Sequence, residues 1–477
     1  MVSDKFRNQL RREVDLWHSE GLIDQQLYGQ LAARYGFADL DGAAQNRFVM
    51  ILLGLGSILL GLGVITFVAA NWQIWSREVK ILLLMGLFVG VNSAGFYLSR
   101  DRIEGGKARL GKGLLLLGAF ILGANLGLMS QLFHQSGPVY QLYLIWGLGV
   151  TAIAHSLRLN FLAILAVILT GIGYSLGVWH LWFEQTEGLF WFLLQQMPFL
   201  ASLLFVAAAY WHKSRWLFGL GILLVVSALN MNFFWLVQQL YNYHFPSAWQ
   251  GRIGSIAVSL PIALLWAYND SLWVNVRNKL VSFQAISRGL AVFYLSVLFY
   301  IFSFNIWNYG WNFSFSSSFQ KLSGDNWSYL LRICFTDSIA LPIFIVITIL
   351  AWWQLGKQEN LSWRLDLKST VIAVMLTITS GVVWQQMNGG ILGAIATFIF
   401  NGFLFLISVG LIRESLSTGK RFPFWSGIVL MVLQLFSRML EYDTELLFKA
   451  LMLVMSGFGV IAAGLWFERY LRTLKNV

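Results

Sequence analysis

From Phe48 to Phe467 the sequence is a succession of apolar runs, each about as long as the roughly 20 helical residues that cross a hydrocarbon core. That repetition leaves little choice of fold, because in lipid every backbone N–H and C=O must be paired inside a helix or a closed barrel. The runs are far longer than the roughly ten-residue alternations of barrel strands. An all-α polytopic integral membrane protein is therefore expected, with about fourteen transmembrane helices. They fall near 48–70, 79–99, 112–133, 138–156, 159–181, 189–211, 216–239, 250–268, 288–307, 331–355, 369–387, 389–412, 422–440 and 444–467. Pro138 borders the fourth run and Pro261 interrupts the eighth, which makes these two the least regular.

Composition agrees: 57% of the residues are hydrophobic and 12% charged, more apolar surface than a water-soluble chain can bury. Disordered, collagen-like and disulfide-scaffold classes are excluded on the same ground. The single cysteine, Cys334, lies in an apolar run, so neither an intrachain disulfide nor a cofactor held by several thiolates is expected.

Charge tests the span list independently, since Lys and Arg near span ends stay on the cytoplasmic side. With the N-terminus inside, 26 of the 33 basic residues fall on inner segments and 7 on outer ones: Arg77, Lys80, Arg252, Lys321, Arg332, Arg438 and Lys449. Both termini are expected in the cytoplasm. The net charge of +11 is spread over eight inner segments, which reads as topology and contact with anionic membrane lipids, not as nucleic-acid binding.

Residues 1–47 are expected to form a cytoplasmic amphipathic helical hairpin, followed by a transmembrane domain over 48–467 and a cytoplasmic tail over 468–477. Phe6, Leu10, Val14 and Trp17 recur at helical spacing; Gly21 breaks the pattern, and Ile23, Leu27 and Leu31 resume it. Asp24 is placed to cap the second helix. The segment leading from Lys5 to Arg12 does not resemble a signal peptide. Acidic residues Glu13, Asp15, Glu20 and Asp24 argue against DNA binding, and packing on the membrane face or on a cytoplasmic protein partner is the better use.

Several of these residues carry a likeness. Trp17, Gly21-Leu22-Ile23-Asp24, Tyr28, Leu31 and Arg34-Tyr35 precede a span containing Leu53-Gly54-Leu55-Gly56 and Gly61-Leu62-Gly63-Val64 and ending Phe67-Val68-Ala69-Ala70-Asn71-Trp72. Gln131-Leu132-Phe133-His134-Gln135-Ser136-Gly137, then Leu144 and Trp146, form a second marker. Over about residues 10–160 the chain resembles the bacterial predicted-membrane-protein family known as domain of unknown function 2157. The resemblance implies a bacterial inner (plasma) membrane location; it implies no activity, substrate or catalytic residue.

Candidate site residues are amides and imidazoles near the outer ends of spans: Gln131 and His134, His180, Gln195 and Gln196, Gln238 and Gln239, His244, Gln385, Gln386 and Asn388. They accompany Trp72, Trp179, Trp182, Trp191, Trp235 and Trp384. Interfacial belts explain such residues; the alternative is an outward-facing cavity lined by amides and Trp. The outer histidines lack metal-ligand spacing, so no metal is expected. Asp337 is the one acid well inside a span, five residues beyond Arg332, and could couple transport to protons or ions. Asn92, Asn125, Asn230, Asn232 and Asn401 are embedded, with interhelical hydrogen bonds as their plain use and a cavity lining as the second. Glu441, Asp443 and Glu445 form an outer acidic cluster that Arg438 and solvent account for. Small residues at packing spacing, including Gly123 with Gly127, Gly173 with Gly177 and Gly389 with Gly393, point to close helix pairs within the chain.

Phosphate-binding, dinucleotide-binding, nucleophile-elbow and metalloprotease motifs are missing. The leading expectation is a non-enzymatic membrane scaffold or regulator without cofactor, whose hairpin docks a partner. The alternative is a carrier or flippase for a lipidic or neutral polar solute. A carrier needs a polar cavity between the helices, whereas a scaffold can be packed dry.

Overall fold

The computed structural model describes residues 4–35, 37, isolated positions between 52 and 70, and 74–100, 106–134, 137–184, 188–242, 247–270, 282–305, 307, 339–357, 364–389, 392–441 and 445–475. Helices make up nearly all of it, and among the described residues there is no strand. Two compact units divide the chain, Met1–Gly137 and Pro138–Val477.

The first unit begins with α1 (Asp4–Ser19) and α2 (Gln25–Tyr35). Gly21 turns the chain between them with φ +73°, a left-handed conformation that costs glycine little. Asp24 caps α2, its Oδ1 accepting from Leu27 N at 2.8 Å. Val14 and Phe37 are buried, with Leu10, Ile23, Tyr28 and Leu31 packed on them. Trp17 and Leu27 share the helical spacing but stay exposed. The Tyr28 hydroxyl donates to Asp15 at 2.8 Å, and that bond to a carboxylate holds its pKa above the ordinary tyrosine value.

Next come α3 (Arg77–Ser99) and α4 (Gly106–Leu132), packed side by side. Small residues allow the approach: a Cβ on Gly111 would collide with Ser99 N. Asn125 of α4 donates to Leu84 O of α3 at 3.0 Å, the interhelical bond expected of a buried amide in lipid.

The second unit holds α5 (Val139–Leu157), α6 (Asn160–Glu184), α7 (Leu189–Gln195), α8 (Met197–His212), α9 (Arg215–Asn242), α10 (Ser247–Ala267), α11 (Gln284–Phe302), α12 (Ala340–Gly356), α13 (Leu367–Gly389), α14 (Gly393–Thr418), α15 (Arg421–Glu441) and α16 (Leu446–Lys475). Helix α9 is the most enclosed and touches α6, α8, α10, α11 and α12. α5 lies tightly on α6, where a Cβ on Gly147 would meet Thr170 Oγ1 at 2.5 Å and one on Gly173 would meet Leu144 N at 2.9 Å.

Ten described helices are long and apolar enough to cross a membrane, or eleven if α7 and α8 count as one bent span. Four of the fourteen expected spans differ from that set. The run at 48–70 lies largely outside the described residues. Helix α5 covers the fourth run with 19 residues, but Tyr140, Gln141, Tyr143 and His155 dilute its apolar character. At 189–211 the chain is two helices, and in the tenth run only the 17-residue α12 is described. Pro261, expected to interrupt its run, sits within the continuous α10. Pro138 sits just before α5.

Large apolar side chains cover the outside. Phe398, Phe422, Leu446 and Leu447 are 79–85% exposed, and α16 buries almost nothing. Water would make that surface untenable, whereas hydrocarbon matches it. The chain is a membrane protein with multiple apolar helices.

Candidate functional site at a broken helix

The most distinctive local feature of the second unit is the break between α7 and α8. Their axes differ by 60° across Gln196. Pro198 explains it: proline has no N–H to donate and its ring collides with the carbonyl four residues back, here that of Leu194. A π-turn follows at Ser202–Val206, where Ser202 Oγ donates back to Pro198 O at 2.8 Å. A broken helix leaves main-chain groups without helical partners, and in lipid they must find others.

Helix α9 supplies one. Asn232 Nδ2 of α9 donates to Gln195 O at 2.5 Å. On the other side Gln196 Oε1 accepts from Ala340 N, the first residue of α12, at 3.1 Å. Each bond is worth about 1 kcal/mol net, but an unpaired group in the same place costs about 1–3 kcal/mol. One distant amide thus pairs a main-chain oxygen at the break, and the break's own Gln196 side chain in turn pairs the first N–H of α12.

A small, partly open cavity of ≈ 20 Å³ adjoins the break. Helix α6 contributes Tyr174 and Trp182, α7 contributes Trp191 and Gln195, and α9 contributes Asn232 and Trp235. Trp191 and Trp235 meet edge to face with centroids 5.5 Å apart, and Trp182 stacks on Phe234 at 5.3 Å. Tyr174 is 3% exposed, and its hydroxyl has no hydrogen-bond partner. Such a volume takes one water or one small polar group, since a water needs about 10–15 Å³. None of the lining residues is charged. The cavity thus offers only uncharged polar groups beside tryptophan faces.

The expected site residues are distributed as follows. Gln195 lines the cavity and Gln196 braces the break. Gln238 is buried on α9, and Gln239 is half-buried there. Asn230 accepts from the Tyr294 hydroxyl at 3.0 Å, tying α9 to α11. Gln386 donates to Trp307 O at 2.8 Å, and Gln385 is half-buried beside it in sequence. Asn125, Gln131 and His134 belong to the first unit, the last two being exposed. Asp337, Cys334 and His244 lie outside the described residues. Tyr174 is the member that sequence reasoning missed; a tyrosine in an apolar helix gives no signal until its surroundings are known.

A second polar cluster lies at the end of α11. Arg438 and Glu441 of α15 form an ion pair one turn apart, each about one-sixth exposed. Arg438 Nη1 also donates to Ser303 O at 2.6 Å, and its guanidinium lies 4.4 Å from the Phe304 ring centre. Glu441 Oε1 accepts from Asn305 N at 2.7 Å. Asn401 donates to Ser303 O at 3.1 Å and accepts from Gln434 at 3.1 Å. Arg438 does account for Glu441, as the sequence suggests, but in protein surroundings and not in solvent. The two charges pair with each other, although Arg438 Nε is enclosed without a hydrogen-bond partner, and the cluster joins α11, α14 and α15.

No curated protein and no solved structure matches the chain. Over residues 15–163 it matches the family model described as predicted membrane protein (DUF2157), the same family that its sequence resembles.

Proposed function

We propose that this chain is a non-enzymatic carrier or flippase for a lipidic solute with a neutral polar head. The observation that carries the reading is the helix broken at Gln196 beside a cavity with three tryptophans, two amides and an unpaired buried hydroxyl. Discontinuous helices are a recurrent way of building carrier sites, because main-chain groups freed at the break can exchange protein partners for solute. A purely structural protein gains nothing from a buried hydroxyl left unpaired.

In this reading the chain spans a bacterial inner membrane fourteen times with both termini in the cytoplasm, and α7 with α8 is one broken span. Tight turns support the alternation: Arg158 and Lys213, two of the inner basic residues, adopt left-handed conformations in the connections α5 to α6 and α8 to α9. Helices joined so closely bring their connected ends to the same side. The cavity then lies towards the outer leaflet, and lipids are the natural partners.

The test uses the full chain in vesicles containing a glucosyl diacylglycerol with a fluorophore on one acyl chain. A membrane-impermeant reductant quenches only the outer leaflet of empty vesicles. Quenching beyond that share, lost in Asn232→Leu, supports the reading; quenching equal to that of empty vesicles contradicts it.

A scaffold or regulator is the second reading, favoured by Trp17 and Leu27, which remain exposed on the two N-terminal helices. There the cytoplasmic hairpin docks a protein partner. Deleting residues 1–47 would then abolish partner capture, and the chain would move no lipid.

A further inference from the structure

We propose that His155 and His212 form a two-imidazole site for a borderline divalent cation of the copper or zinc type, separate from the cavity at the broken helix. His155 lies in the last turn of α5 and His212 ends α8, so 57 positions of sequence separate them and no spacing motif announces the pair. Their rings stand 5.6 Å apart, centre to centre, at 83°.

Hydrogen bonding fixes which nitrogens are free. His155 Nδ1 lies 3.0 Å from Thr151 O, and His212 Nδ1 lies 3.0 Å from Asn160 Oδ1. A carbonyl oxygen only accepts, so each Nδ1 carries a proton, and in the neutral ring Nε2 keeps its lone pair. His212 Nε2 is enclosed and has no hydrogen-bond partner. Imidazoles that ligate metals are normally held this way, the second ring nitrogen donating to an oxygen that fixes tautomer and orientation.

The separation fits a shared ion. With metal–nitrogen bonds of about 2.0–2.1 Å and Nε2 about 1.2 Å from its ring centre, each centre would stand about 3.2 Å from the ion. With both Nε2 atoms turned towards one ion, a 5.6 Å separation of the centres would correspond to an angle of about 120° at the metal, near the tetrahedral value. Imidazole nitrogens select copper or zinc over magnesium or calcium, which take oxygen. Arg158, whose guanidinium lies 5.4 Å from the Trp211 ring centre, acts electrostatically on His212 and opposes the cation. Affinity should therefore rise when that charge is removed.

Copper(II) alone is the probe, titrated into the purified full-length chain in detergent and followed by electron spin-echo spectroscopy, which counts coordinated imidazoles through their remote nitrogens. One copper per chain with two imidazoles is expected. His155→Asn and His212→Asn should each leave one imidazole and weaker binding. Asn160→Ala, which keeps both ligands but removes the oxygen orienting His212, should lose about 10–100-fold in affinity, and Arg158→Gln should bind more tightly. An unchanged melting temperature without metal separates these effects from misfolding. Copper bound equally well by His155→Asn and His212→Asn, or a single imidazole in the parent chain, would overturn the proposal.

Discussion

The side-chain amide of Asn232 donates to the main-chain carbonyl of Gln195 at 2.5 Å, so that α9 supplies a partner to an oxygen at the end of α7. Replacing it with leucine, of similar size, removes that donor. Asn232→Leu is expected to destabilise the chain by about 1–3 kcal/mol, read as a lower melting temperature in detergent, and to abolish lipid movement. Gln238→Leu, a buried amide on the same helix that does not line the cavity, should retain lipid movement.

Tyr174 gives a prediction of opposite sign. Its hydroxyl is buried without a partner, so Tyr174→Phe removes a desolvated polar atom and should raise stability by about 1 kcal/mol. Lipid movement should fall in the same variant, because the group proposed to meet the solute is gone. Thermal melting and the vesicle assay moving in opposite directions would distinguish a binding hydroxyl from a merely strained one.

The Arg438–Glu441 pair predicts non-additivity. Glu441→Gln leaves the guanidinium without its counter-ion in a mostly enclosed place, at a cost of about 2–3 kcal/mol, below the figure for a fully buried pair because both side chains keep some exposure. Arg438→Leu with Glu441→Leu should cost less than the sum of those two changes made singly, since no lone charge remains. Melting temperatures of the three variants measure the coupling.

Close helix contact at Gly173 contrasts with open space at Gly402. A Cβ at Gly173 would press on the backbone nitrogen of Leu144, so Gly173→Ala should force α5 and α6 apart and cost about 1–3 kcal/mol. At Gly402, inside α14, nothing lies within 4 Å, and alanine should stabilise by up to about 1 kcal/mol through helix propensity. Melting of the two variants in opposite directions checks the packing.

What could be read from sequence follows how local each determinant is. Asp24, Gly21 and the spacing around Val14 act within a few residues, and the helices and turn they specify are present. Proline was harder to interpret. Pro261 is accommodated within α10, whereas Pro198, in a run that looks uninterrupted, coincides with the break. The difference lies in whether a neighbouring helix offers a partner that stabilises a bend, as α9 does through Asn232, and that information is tertiary. Gln195 was legible as a candidate because an amide in an apolar run stands out. Tyr174, His155 and His212 were not, because each gains meaning only from a residue more than twenty positions away. Asp270 illustrates the same limit: it accepts from the Tyr210 hydroxyl at 2.7 Å and from Phe283 N just before α11, joining segments that sequence treats separately.

If the run 189–212 is broken at Gln196 to build a solute site, bound lipid should be visible there. An electron cryo-microscopy map of the chain in nanodiscs containing the glucosyl lipid tests it most directly. Two helices meeting at 60° are expected, with density reaching between Trp182, Trp191 and Trp235 to the Tyr174 hydroxyl. One straight helix through Gln196, or a bent one whose cavity is closed by the tryptophan side chains, would contradict it.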